Sequence, residues 1–102
     1  MATLHTVNKS PFDRTSLESA IRLAAKGSAI LLIEDGVYGA MKGTAKSSVV
    51  ESAMGDVKVY VLGEDLAARG IAKEKLIDGI ETVDYSGFVN LVCEYDTTNS
   101  WL

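Results

Sequence analysis

The sequence predicts one α/β domain, with a mostly parallel central sheet of about four to five strands flanked by helices on both faces. Three observations carry this expectation. The chain has 102 residues, the size of a single domain. Strand-like and helix-like patterns alternate along it, an order that calls for parallel strands joined by helical crossovers. One segment, Ala29-Ile30-Leu31-Leu32-Ile33, is apolar at every position, as strands are when helices cover both faces of their sheet. The domain is expected to span residues 1–102.

The elements follow in order. Residues 3–7 carry β-branched side chains and read as a first strand, closed by the loop Asn8-Lys9-Ser10-Pro11. Pro11 disfavours helix at Ser10. Thr15 and Glu18 have the spacing of a capping box, and Leu17, Ala20, Ile21 and Ala24 form one apolar helical stripe. Lys26 and Gly27 then read as a basic last turn and a stop. Ser28 leads into the apolar strand, which Glu34-Asp35-Gly36 bounds. Val37, Tyr38 and Met41 suggest a short helix ending near Gly43, and Val49, Val50, Ala53 and Met54 another ending at Gly55.

Val57-Lys58-Val59-Tyr60-Val61-Leu62 is strongly β-prone, and residues 64–69 read as one or two helical turns closed by Gly70. Residues 80–83 are a fourth strand. Asp84 or Ser86 caps a last helix with apolar positions Phe88, Leu91, Val92 and Tyr95. The tail, residues 97–102, ends on two large apolar residues, Trp101 and Leu102. A bulky apolar end is expected to dock, on its own domain or on a neighbour.

Composition narrows the function. Hydrophobic residues are 47% and charged residues 24% of the chain, an ordinary globular balance that excludes disorder. With 14 acidic and 10 basic residues the formal charge is −4, which disfavours direct binding to nucleic acid. A single cysteine and a single histidine exclude a disulfide framework and a Cys-rich zinc site. The N-terminus lacks the pattern of a signal peptide, and the longest apolar run is far short of a membrane span. The cytoplasm is therefore the expected compartment.

Motifs of phosphate, dinucleotide or hydrolase chemistry are missing: neither Gly36-Val37-Tyr38-Gly39 nor Lys42-Gly43-Thr44 completes its pattern. Glu34, Asp35 and Gly36 stand at a strand's carboxyl end, where open α/β sheets bind ligands, but Asp35 as a helix cap and Gly36 as a turn explain them as well. His5 has no acidic neighbour in sequence and reads as structural. The Asn8-Lys9-Ser10 loop either meets an anion or partner or simply turns into the first helix. Cys93 lies beside the apolar stripe near a helix C-terminus, next to Glu94 and Asp96, a setting that disfavours a thiolate. No residue is assigned as catalytic, cofactor-binding or metal-binding, and no cofactor is expected.

Four blocks, in order and nearly end to end, resemble the DsrH/TusB family. They are Leu4-His5-Thr6-Val7-Asn8-Lys9-Ser10-Pro11-Phe12, Leu31-Leu32-Ile33-Glu34-Asp35-Gly36-Val37-Tyr38, Val59-Tyr60-Val61-Leu62-Gly63-Glu64-Asp65-Leu66-Ala67-Ala68-Arg69-Gly70, and Val83-Asp84-Tyr85-Ser86-Gly87-Phe88 with the terminal Trp101-Leu102. The opening is more similar to DsrH proteins of sulfur-oxidising bacteria than to TusB. The resemblance implies a small cytoplasmic subunit of the DsrE/DsrF/DsrH-like superfamily, assembled with DsrE-like and DsrF-like partners in a heterohexamer that relays persulfide sulfur to DsrC. In the alternative, TusB-like case the partners are TusD-like and TusC-like. Sulfur then passes to TusE and on to the tRNA wobble uridine.

Some DsrH proteins carry a cysteine in the first helix, within a Leu-Glu-Ser-Cys stretch. Here the stretch is Leu17-Glu18-Ser19-Ala20, and Ala20 cannot carry a persulfide. The resemblance then implies a structural or accessory subunit whose reactive thiol sits on another chain. Neither direct nucleic-acid contact nor a membrane is implied.

Overall fold

The apolar run at the centre of the chain becomes the centre of the sheet. The computed structural model describes residues 2–101. Five strands, β1 (Thr3–Val7), β2 (Ala29–Leu32), β3 (Lys58–Leu62), β4 (Glu81–Val83) and β5 (Thr97–Trp101), pair in the order β4-β3-β2-β1-β5, and every pairing is parallel. All four residues of β2 are buried, because helices cover both faces of the sheet there.

Alternation along the strands sorts the core into two layers. Val7, Ile30, Leu32, Val59 and Val61 point to one face. There they meet α1 (Ser16–Leu23) through Leu17 and Ala20, α2 (Ser47–Ala53) through Val50, and α3 (Gly63–Ala68) through Leu66. A 3₁₀ helix over Glu34–Ala40 adds Val37 and Ala40 to the same layer. Leu4, Ala29, Leu31 and Tyr60 point to the other face, where one helix, α4 (Tyr85–Glu94), covers them with Leu91. Phe88 and Tyr95 close the sides of that layer.

Several local expectations are corrected. Thr15 stands at the N-cap of α1 but makes no side-chain cap bond. Glu18 instead takes a charge-assisted bond from Lys46 Nζ at 2.8 Å, which pins α1 to the segment leading into α2. The helix ends at Leu23, before Lys26 and Gly27. Residues 24–28 form a turn held by tertiary bonds, with Gly27 N–H donating to the Asp56 carbonyl and Thr3 N–H to Ser28 Oγ. The helix expected around Val37 and Tyr38 is 3₁₀ and starts directly at Glu34. Of the two candidate caps for α4, Asp84 is the one used: its Oδ1 accepts from Gly87 N–H at 2.7 Å.

The tail docks on its own sheet. Thr97–Trp101 is an edge strand, exposed along most of its length, and so shows none of the apolar alternation that marks a half-buried strand. Hydroxyl pairs hold it to β1, Thr3 with Thr97 at 2.9 Å and Thr6 with Ser100 at 3.3 Å. Leu102 lies outside the described residues.

Gly36 is fixed by close approach: a methyl group there would overlap the Val7 carbonyl oxygen, which already accepts from Ile33 N–H at 3.0 Å. Gly36→Ala should cost about 3 kcal/mol or more, since backbone must move on both sides. Urea unfolding checks this, and a loss under about 1 kcal/mol counts against the packing described.

Burial, together with Tyr95, Glu81 and Glu94, pushes the Tyr60 hydroxyl up from 10.0 to about 12. The unfolded chain ionises first, so this group's contribution to stability is whole below pH 10 and is lost as pH rises from 10 toward about 12. In an alkaline absorbance titration of the four tyrosines, Tyr60 should ionise last, and Tyr60→Phe should remove that late step.

Candidate functional site

Strand order determines where a parallel sheet can hold a ligand. From β1 to β4 the chain steps across the sheet in one direction, with α1, α2 and α3 on one face. From β4 it returns the other way, with α4 on the opposite face, to add β5 beside β1. Adjacent strands β3 and β4 therefore send their chains to opposite faces, and a crevice opens outside their carboxyl ends. A cleft of about 680 Å³ lies there, lined by Gly63, Glu64 and Ala67 after β3, by Thr82, Val83, Asp84 and Gly87 around the end of β4, and by Lys73.

The cleft is built by tight turns. β3 runs straight into α3 at Gly63, where an added Cβ would stand 3.0 Å from Thr82 Cγ2. At Gly87 it would stand 2.9 Å from Val83 Cβ. Both carboxylates of the lining serve the start of α4: Asp84 caps it, and Glu64 Oε2 accepts from Tyr85 N–H at 3.3 Å. The lining also offers the Lys73 ammonium and the Thr82 hydroxyl, but no thiol or imidazole. Such a site can hold a polar group, and it has no thiol to carry a persulfide.

Glu34 and Asp35, the pair at the end of β2, form a structural latch. Glu34 is left-handed at φ 49°, a costly conformation for a non-glycine residue, and Asp65 Oδ2 secures it by accepting Glu34 N–H at 2.7 Å. Asp35 caps nothing. Its Oδ1 takes two bonds from Arg69, from Nε at 3.0 Å and from a terminal nitrogen at 2.9 Å. Arg69 also donates to the Asp65 carbonyl at 3.2 Å, so α3 and the 3₁₀ helix are tied at one corner. The Asn8-Lys9-Ser10 loop is the turn into the first helix: the Ser10 carbonyl accepts from Asp13 and Arg14, and its Oγ from Phe12 N–H.

His5 lies inside β1 and pairs with the end of β5. It is 5% exposed, and its Nδ1 accepts the Trp101 indole N–H at 3.0 Å. The neutral ring that accepts at Nδ1 carries its proton on Nε2. Ala20 is fully buried under the sheet. Cys93 is exposed on α4, away from the cleft.

Burial lowers the His5 pKa below 6.5. Below pH 6.5 the unfolded chain binds the proton first, so this contribution to stability is whole above pH 6.5 and is lost as pH falls through the lowered value. Protonated Nδ1 cannot accept from Trp101. The fluorescence of Trp101, the single tryptophan, should therefore shift on acidification below pH 6.5, and His5→Gln should leave it unmoved.

Fold and cleft define a class: a small parallel α/β domain with a crevice at its topological switch point and no thiol or imidazole among that crevice's lining residues. Comparison with known proteins makes this particular. Residues 9–98 match the family described as DsrH like protein. The chain is 37% identical over 98 residues to Protein TusB of Shigella flexneri, covering 96% of this chain and 99% of that one. It is 35% identical over the same length to Protein TusB of Escherichia coli O81. The chain belongs to the DsrH/TusB family, a sulfur-relay family.

Among solved structures, the ychN protein of Escherichia coli superposes with a TM-score of 0.77 at 18% identity, covering 99% of this chain and 100% of that one. A protein of unknown function from Methanobacterium thermoautotrophicum superposes at 0.76 with 17% identity, covering 94% and 96%. These two share the fold.

Proposed function

We propose that the chain is a structural subunit of a cytoplasmic persulfide-relay complex of the DsrEFH type, acting in intracellular sulfur oxidation. Supporting this reading is the family match together with Ala20, which fills the first-helix position where some DsrH proteins carry cysteine and is fully buried in the core. The opening block from Leu4 to Phe12 favours the DsrH side of the family. In this reading the sulfur-carrying thiol belongs to a DsrE-like partner, a DsrF-like subunit completes the heterohexamer, and a DsrC-like protein receives the sulfur.

A second reading is favoured by the 35–37% identity to proteins named TusB. There the chain completes a TusBCD-type complex that feeds sulfur through a TusE-like acceptor to the tRNA wobble uridine. The partners are of the same kind, so the two readings differ in the acceptor.

Co-expression with DsrE-like and DsrF-like subunits, followed by mass measurement of the purified complex, tests the common part. A heterohexamer is expected, and a chain that stays alone overturns it. Loading that complex with sulfur and offering DsrC-like and TusE-like acceptors separates the pathways. Preferential transfer to the DsrC-like protein is expected, and preference for the TusE-like one selects the second reading.

A further inference from the structure

The helix α4 carries a second apolar stripe besides the one packed on the sheet. Leu91, Phe88 and Tyr95 face the sheet. On the outer side Tyr85, Val89 and Val92 are 57%, 61% and 41% exposed, at the i, i+4, i+7 spacing of a helical stripe. Cys93, next to Val92 in sequence, extends it. Only one of the ten residues of α4, Glu94, is charged. Ser86, Asn90 and Glu94 make the rest of its exposed surface polar, so the stripe is a bounded apolar patch.

We propose that this outer stripe is the core of a docking surface for a different subunit, one that presents an apolar helical ridge flanked by basic side chains. The inference rests on the hetero-oligomer reading above and names the surface that reading requires. Charge selects the partner. At one end of α4 stand Asp84 and Glu64, the latter bonded to Tyr85 N–H. Glu94 and Asp96 stand at the other end, and Glu81 and Glu94 both act on Tyr60 beneath the helix. Against these carboxylates Lys73 is the one basic residue of the cleft lining.

A second copy fits poorly. Two α4 helices packed antiparallel would set Asp84 and Glu64 of one against Glu94 and Asp96 of the other, and like charges in contact oppose pairing. The exposed stripe amounts to only on the order of 300 Å², the size of an ordinary surface patch, whereas a stable interface buries about 800 Å² per partner. The partner therefore extends past the stripe onto the acidic rim, where basic side chains meet the negative charge of carboxylates of which Asp84, Glu64 and Asp96 already accept bonds within the chain.

The unmodified complex offers a direct probe, because Cys93 is the single thiol of this chain. Maleimide labelling of Cys93 should slow at least tenfold when the chain is assembled with DsrE-like and DsrF-like subunits. An unchanged rate overturns the proposal. Val89→Lys with Val92→Lys should keep the helical signal and melting curve of the free chain yet fail to co-elute with the partners, while Leu23→Ser, exposed elsewhere, assembles normally. Assembly of the double variant at wild-type affinity overturns the proposal.

Affinity should fall by tenfold or more as salt is raised from low to high concentration, and salt-independent binding overturns the basic rim. A wild-type chain that dimerises alone, and loses the dimer in the double variant, assigns the stripe to a second copy instead. Failure of the wild-type chain to join its partners at all overturns the hetero-oligomer reading and the docking surface with it.

Discussion

The pairing of β5 with β1 is the constraint from which the functional geometry follows. Were the chain to end at β4, every crossover would lie on one face and Leu4, Ala29, Leu31 and Tyr60 would face water. Parallel pairing of Thr97–Trp101 with Thr3–Val7 forces the chain back across the whole sheet from β4. The helix that makes this return covers the second face, and the reversal of direction opens the crevice between β3 and β4. The bond from Trp101 to His5 and the hydroxyl pairs at Thr3 and Thr6 hold this closure in place. None of these is apolar burial on the scale of β2. The step that organises the molecule is thus secured by polar contacts at its edge.

That imbalance explains what was legible in the sequence. The buried strand Ala29–Leu32 and the β-prone Lys58–Leu62 declare themselves through composition, since residues enclosed on both faces must be apolar. The apolar stripes of α1 and α4 declare themselves through spacing. β5 does not, because Thr97, Thr98, Asn99 and Ser100 are exposed and carry no pattern. Without β5 the reversal of strand order cannot be foreseen. Attention then falls on Glu34 and Asp35 after β2, where the structure has a latch, and not on Gly63 and Asp84, where it has a cleft. The one available signal was Trp101, a large apolar side chain at an otherwise polar end.

The errors in capping have a shared cause. Thr15 with Glu18, and Asp35 before Val37, both satisfy local rules for a helix start. In each case a cation from elsewhere in the chain claims the carboxylate, Lys46 for Glu18 and Arg69 for Asp35. A carboxylate turned to a cation on another element is not turned to its own helix start, and sequence spacing cannot show which distant cation will arrive.

The same helix serves both surfaces that matter for function. Gly87, in the first turn of α4, lines the cleft, and Val89 and Val92 lie further along on its outer side. A subunit seated on the stripe must therefore border the cleft, because Tyr85 belongs to the stripe while its N–H is held by Glu64 of the cleft wall. In the proposed complex this geometry gives the chain a definite part. Ala20 leaves no thiol on α1, and in the proposed complex α4 would bring a partner's surface beside a crevice whose lining holds no thiol. On the proposed reading the chain shapes the space in which another subunit's sulfur is handed on, and Cys93 lies beside the surface where that subunit is proposed to sit.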